Sequence, residues 1–490
     1  MNNIRLLFSL FLGLGFSSAA YAQNQPPATT PNPFLAAPHQ SDAQKANYPP
    51  QLFDQLHAIE AAALTDDYAY RQLAHLTENI GPRPSGSPQA KAASDYVAAE
   101  LRKLGLDVHL EEVKVPHWVR GAETAQLVEY PGQVPETTQK IVLCALGGSS
   151  ATPTDGLTTD VVVVNNFDEL AALGRDKVAG KIVFFNEIFD KQKSAGGMAF
   201  QAYGEAVRYR GAGPRVAADL GAAAALVRSV GDADFRLPHT GFSFPAGIPA
   251  GAVTAEDADL IAHLAAQGKV RMHLTLTPQK LPDTIGYNVI ADLKGSEHPE
   301  QVVVVSGHLD SWDLGTGAID DGAGVVVSMQ AIHLLQKLGI HPKRTVRFIA
   351  WMSEEEGSQG AATYIQEHAA DAANHIGAIE SDLGAGHPDG VLYAGKPALG
   401  EWLQPVAQAL DPIGAQTFRA SPETGEDINV LTEKGVPSFA PSQDGRFYFN
   451  YHHTPADTFD KVNPRELSEN AAVMTVLAYA LADSADPAPR

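Results

Sequence analysis

Apolar residues recur at helical spacing over residues 51–76 and again over 89–104, where the run stops at Gly105. Between them lies Ile80-Gly81-Pro82-Arg83-Pro84-Ser85-Gly86-Ser87-Pro88, whose prolines and glycines exclude regular helix. Residues 106–115 alternate as a strand does. From about 131 to 269 the texture changes. Valine-rich strands are predicted at 141–144, 161–165 and 181–185 between glycine-rich turns, and a helix over 217–227 on the alanines at 222–225. No His clusters with carboxylates there, although His239 in Pro238-His239-Thr240-Gly241 stands out. The segment reads as an inserted domain that covers or shapes a site made elsewhere.

From residue 288 onward strands and helices alternate: strand 302–305, helix 322–338, strand 345–351, helix 357–368, strand 376–382 and helix 399–410. A last helix starts at Asn463-Pro464-Arg465-Glu466, with Asn as cap, Pro in the first helical position and Glu three residues after the cap, and runs apolar to Ala482. Such alternation predicts an α/β domain with a mainly parallel sheet flanked by helices. Sites in these sheets gather beyond the carboxyl ends of the strands. This sequence concentrates its carboxylates there, in five segments: Ser306-Gly307-His308-Leu309-Asp310, Asp320-Asp321-Gly322-Ala323-Gly324, Ser353-Glu354-Glu355-Glu356, Glu380-Ser381-Asp382-Leu383-Gly384, and Tyr451-His452-His453-Thr454-Pro455-Ala456-Asp457-Thr458. Singly they read equally well as a surface turn, a helix cap or a solvated charge run. Together they imply one shared site.

Charge and composition narrow its chemistry. With 35 Lys and Arg against 57 Asp and Glu, the net charge is −22, which argues against nucleic acid or anionic lipid as partner. The single Cys144 supplies neither a disulfide nor a thiolate zinc site, so a metal must be held by His, Asp and Glu. At the N-terminus, Arg5, an apolar run over 6–16 and Ala20-Tyr21-Ala22 predict a signal peptide over 1–22, and with it a secreted or periplasmic protein without a membrane anchor. Residues 23–50, rich in Gln, Pro, Ala and Thr, are expected to be a flexible leader.

A charge count gives the site a form. Two Zn²⁺ ions balance three carboxylates and one bridging hydroxide, and neutral His completes each ion. In that arrangement His308, Asp320 and Asp382 hold one zinc, and Asp320, Glu355 and His453 hold the other, with Asp320 shared. Asp310 would accept the second ring N–H of His308, and Glu354, beside a ligand but spare, would be the general base.

These motifs, Gly-His-Leu-Asp, Asp-Asp-Gly-x-Gly, Glu-Glu, Ser-Asp and His-x-x-x-Asp-Thr, resemble those of the co-catalytic zinc aminopeptidase family. The longer strings at 306–313 and 452–453, with Tyr209-Arg210, Arg228-Ser229-Val230 and 238–241, are most similar to its secreted dipeptidase branch, over about residues 60–483. The resemblance implies the same five ligands and base, a cis peptide at Asp320-Asp321, and a homodimer. It also implies a phosphorylase/hydrolase-like catalytic domain in two parts, 51–130 and 270–490, around a β-rich protease-associated insertion at 131–269. The activity expected is exopeptidase action on short peptides, dipeptides with free termini above all. His452 is either an oxyanion donor or a residue supporting the ligands. Four alternatives stand beside this reading: an aminopeptidase acting on longer peptides; a related zinc exopeptidase with a dimerisation domain, whose insertion would lie within the metal-binding half; a one-zinc glutaminyl cyclase; and a non-enzymatic receptor-like ectodomain that retains the scaffold and would be expected to have lost ligands.

Overall fold

The computed structural model describes residues 48–490. The expected signal peptide and the leader as far as residue 47 lie outside them.

The first sheet has eight strands, in spatial order Asp107–Val119, Gln279–Leu293, Arg344–Trp351, His298–His308, His375–Glu380, Ser438–Gln443, Pro388–Ala394 and Thr417–Ala420. The sheet is mixed: the three adjoining pairs from Arg344–Trp351 to Ser438–Gln443 are parallel, and antiparallel pairs flank them. The central strand carries Val302 to Val305, all buried, as a strand covered on both faces requires. Helices Ala323–Lys337 and Pro464–Asp483 pack together and share one core with it, which explains why both are apolar nearly all round. The second begins as its sequence predicts: the Asn463 side chain accepts from the Arg465 N–H at 2.9 Å, with Pro464 in the first turn.

The second sheet also has eight strands, in the order Gln139–Ile141, Glu123–Glu129, Arg271–Leu276, Leu157–Val164, Ile182–Phe185, Ala224–Arg228, Ala250–Val253 and Leu143–Ala145. Alternate residues of its inner strands feed two different cores: Ile182, Phe184 and Leu226 one, Val183, Phe185 and Val227 the other. This sheet is wider than the 131–269 segment marked out by sequence texture, because Glu123–Glu129 and Arg271–Leu276 belong to it. The long antiparallel ribbon of Asp107–Val119 against Gln279–Leu293 carries the chain out to this sheet and back, with Val119 opposite Gln279 at its far end.

Three local expectations need correcting. The predicted helix over 217–227 is instead the end of helix Ala199–Asp219, a turn at Gly221 and the strand Ala224–Arg228. A run of alanines shows no period, and here pairing on both sides and burial on both faces override alanine's helix preference. Helix 51–76 is broken into Pro50–Ala63 and Tyr68–Ala74, where the Asp66 carboxylate accepts from the Tyr68 N–H and from Lys337. Helix 399–410 is Ala398–Trp402 followed by Gln404–Leu410, interrupted next to Pro405.

Candidate metal centre

Three neighbouring parallel strands end side by side, with His308 opposite Trp351 and Ser306 opposite Glu380, so whatever follows each strand meets at one edge. His308 ends the first. Glu354 and Glu355 follow the second, and Asp382 follows the third. Asp320 comes from the turn Ala318–Gly322 before helix Ala323–Lys337, and His452 and His453 follow the short helix Tyr448–Tyr451. Close backbone approach makes this possible: a Cβ on Gly324 would lie 1.7 Å from the Ser381 carbonyl oxygen.

Asp320 sits at the middle of the cluster. Its Oδ1 lies 3.1 Å from His308 Nε2, and its Oδ2 lies 3.1 Å from His453 Nε2 and 3.6 Å from His452 Nε2. Asp382 Oδ1 is 3.4 Å from His308 Nε2, and Glu355 Oε2 is 3.0 Å from His453 Nε2. One group of donors is therefore His308, Asp320 and Asp382, and a second gathers around Asp320 and His453, with His452 or Glu355 as the third member. His308 and His453 present Nε2 inward because the Nδ1–H of each is used elsewhere. That of His308 donates to the Asp310 carbonyl oxygen at 2.9 Å, and that of His453 to the Thr240 carbonyl oxygen at 3.3 Å.

The Asp310 carboxylate is thus not the partner expected for His308, from whose Nδ1 it stands 3.8 Å. It accepts instead from the backbone N–H groups of Ser353, Glu354 and Glu355 at 2.7, 3.1 and 3.3 Å, and from Ser85 Oγ at 3.2 Å. It thereby holds the Glu354-Glu355 turn, in which Ser353 has φ +71°. Asp321, joined to Asp320 by a cis peptide, accepts from the His308 N–H and the Gly324 N–H, both at 2.9 Å. Asp457 accepts from the N–H groups of Ala318 and Ile319 and so fixes the approach to Asp320.

Negative charge outweighs positive here. Burial raises the Glu355 carboxyl to about 7, His453 pulling it down and Asp320 pushing it up. Burial and the neighbouring His and acidic groups likewise leave Asp382 above its usual range. Burial alone would lower His453, but Glu355 and Asp320 lift it to about 9. Glu355 Oε1 and Asp382 Oδ1 are buried with no hydrogen-bond partner among the described residues. Buried carboxylates crowded around inward-facing imidazole nitrogens, with acceptor atoms to spare and no thiolate, suit a divalent cation of the zinc type.

The Glu354 side chain, half-buried, lines a cavity of about 490 Å³ together with Asp320, Glu355, Asp382, His452 and His453, and makes no hydrogen bond or ion pair among the described residues. Sequence reasoning missed Arg83, a wholly buried guanidinium that donates to the carbonyl oxygens of Leu309, Thr316 and Gly317 at 2.6 to 2.8 Å and so braces the chain between His308 and Asp320. A lone cation amid prolines and glycines was its only signal. It also missed Thr240. His239 lies outside the donor set; it is buried, neither ring nitrogen has a partner among the described residues, and burial lowers its pKa to about 3.

The profile described as Peptidase family M28 matches residues 288–478, the stretch that holds every donor named above. Carboxypeptidase Q of Bos taurus is 38% identical over 429 residues, 86% of this chain and 87% of that protein. The chain belongs to peptidase family M28. Carboxypeptidase Q of Xenopus laevis, at 40% identity, covers the same shares of both chains. A crystal structure described as a peptidase M28 precursor from Shewanella amazonensis is 35% identical, with a TM-score of 0.84 over 90% of this chain and 99% of that one. As an M28 member the chain is a peptidase, with the mixed α/β fold of its relatives.

Proposed function

We propose that this M28 peptidase is an exported exopeptidase with two zinc ions, acting on short peptides and principally on dipeptides with free termini. The observation that carries the reading is Asp320, which turns one carboxylate oxygen to His308 and the other to His453, as a bridge between two ions would. His308 and Asp382 would complete one ion's donors, and His453 and Glu355 the other's. When bound, the pair would supply the Lewis acidity that polarises the scissile carbonyl and the acidity that readies the attacking water.

The chain's own residues do the rest. Glu354, whose carboxylate is free of other partners, takes the water's proton and passes it to the leaving amine. Asp310, through three backbone N–H groups, keeps Glu354 and Glu355 in one orientation. His452, stacked on His453 with ring centroids 3.6 Å apart, is suited to donate to the oxyanion that develops on the carbonyl. The segment built on the second sheet, read here as the protease-associated insertion, contributes the Thr240 carbonyl that orients His453.

The test is metal content and dipeptide hydrolysis in wild type, Glu354→Gln and Asp320→Asn. Glu354→Gln should keep two zinc ions per chain and lose about 10²- to 10⁴-fold in kcat, the usual share of general base catalysis. Asp320→Asn should lose both metal and activity. A wild type that binds zinc and cleaves no member of a peptide panel overturns the reading.

A further inference from the structure

We propose that Glu426 sets the side-chain preference of the peptidase by pairing with a lysine or arginine side chain on the substrate's N-terminal residue. The inference rests on the peptidase reading above and deepens it by naming the class of dipeptide that the cavity favours.

Glu426 owes its place to the strand that leads to Asp382. At the end of that strand, His375–Glu380, the Glu380 carboxylate accepts from the backbone N–H groups of Asp427 and Ile428 at 3.4 and 3.0 Å. On the other side of residue 426, a Cβ on Gly425 would fall 2.1 Å from Glu380 Oε2. The turn is therefore pinned on both sides by contacts in which the Glu426 side chain takes no part. That side chain is exposed, makes no hydrogen bond or ion pair among the described residues, and lines the cavity of the donor cluster with Asp382 and Leu383. A carboxylate held at the wall by its neighbours, with no partner of its own, is free to pair with what enters.

Its charge is surplus to the metal centre. In the peptidase reading Asp320, Glu355 and Asp382 face the ions and Glu354 the attacking water, which leaves Glu426 as the lining carboxylate without a task. The cavity is also polarised. Asp320 turns one oxygen to His308, beside Asp382, and the other to His453. Arg210, the one Lys or Arg in the lining, stands at the His453 end, with Nη1 3.3 Å from His453 Nδ1. A dipeptide with free termini therefore lies with its ammonium end towards Asp382 and Glu426. The walls suit the long stem of a basic side chain: Phe200, Tyr448 and Phe449 line the same cavity, and Phe200 stacks on Tyr448 with ring centroids 5.4 Å apart. Lysine and arginine lay their methylenes on such a surface while the charged head reaches a carboxylate. A neutral side chain of the same length gains the wall alone.

The experiment measures kcat/KM on lysyl-alanine, norleucyl-alanine, alanyl-lysine and glutamyl-alanine. It uses zinc-loaded wild type, Glu426→Gln and Glu426→Lys, with zinc content and melting temperature recorded for each. Norleucine has the stem of lysine without its charge. Wild type should favour lysyl-alanine over norleucyl-alanine by about three- to fivefold, the scale of a solvent-exposed ion pair, and about 0.5 M NaCl should erase the difference. Glu426→Gln should bring the two rates together by lowering that on lysyl-alanine. Glu426→Lys should reverse the order and raise the rate on glutamyl-alanine about fivefold over wild type. Equal wild-type rates on lysyl- and norleucyl-alanine, a lysine preference that survives in both variants, or one confined to alanyl-lysine overturns the assignment and leaves the peptidase reading intact. No hydrolysis of any peptide overturns both.

Discussion

His375 shows how a single buried side chain ties stability to pH. Its Nδ1–H donates to the Asp371 carbonyl oxygen at 3.1 Å, and its Nε2 accepts from the Tyr364 hydroxyl at 2.8 Å, which itself accepts from Arg347. A second ring proton would need a hydroxyl that already accepts from the Arg347 guanidinium. Burial accordingly lowers the pKa to about 4. Since the unfolded chain binds that proton near pH 6.5, the stabilisation is complete above that value and is lost as pH falls towards 4, by about 2–3 kcal/mol. Urea midpoints at pH 7 and 4.5 should therefore differ less in His375→Gln than in wild type. Asp310 makes a second test at this scale. Asp310→Asn places an amide against three N–H donors and should lower kcat about 10- to 100-fold, the range for partners that support metal ligands, with the His308 contact to the backbone intact. The sequence pointed to the residues that the structure brings together because metal chemistry restricts the residue types. It gave the His308 Nδ1–H the wrong acceptor on Asp310 because a carboxylate and its own main-chain carbonyl are indistinguishable in a string of letters.

At the scale of elements, the centre depends on how closely helix Ala323–Lys337 approaches the end of strand His375–Glu380. Gly324→Ala would force its Cβ into the Ser381 carbonyl. The expected result is more than about 3 kcal/mol of destabilisation by chemical denaturation, with less zinc retained per chain than in wild type. The motif Asp-Asp-Gly-x-Gly was legible beforehand; that its last glycine answers to a carbonyl from another strand was not, because nothing local encodes it. The strands at 302–305 and 345–351 were readable from runs of Val and Ile or from β-branched residues next to aromatics. The strand Ala224–Arg228 was not, since alanine in a two-sided strand carries the composition of a helix.

For the whole molecule, Arg120 joins the two sheets: it pairs with Asp313 through Nε and Nη2 at 2.7 and 2.8 Å and donates to Thr240 Oγ1, beside the carbonyl that orients His453. Arg120→Ala leaves Asp313 without this partner and loosens Thr240. The expected effects are a loss of about 3 kcal/mol in stability and about tenfold faster zinc transfer to a chelator, both measured against wild type. The second sheet was visible as a change of texture, but its extent was not, because strands Glu123–Glu129 and Arg271–Leu276 have ordinary composition. Their partners lie about 150 residues away along the chain. The ribbon that leads to the second sheet also bears on descent. Val119 and Gln279 face each other across it, so everything between them is topologically the loop of one hairpin. Chain can be gained or exchanged at that tip without changing the order of the strands that carry the donors, and where the carbonyl that orients His453 is kept, reach and selectivity are free to diverge while the chemistry stays fixed.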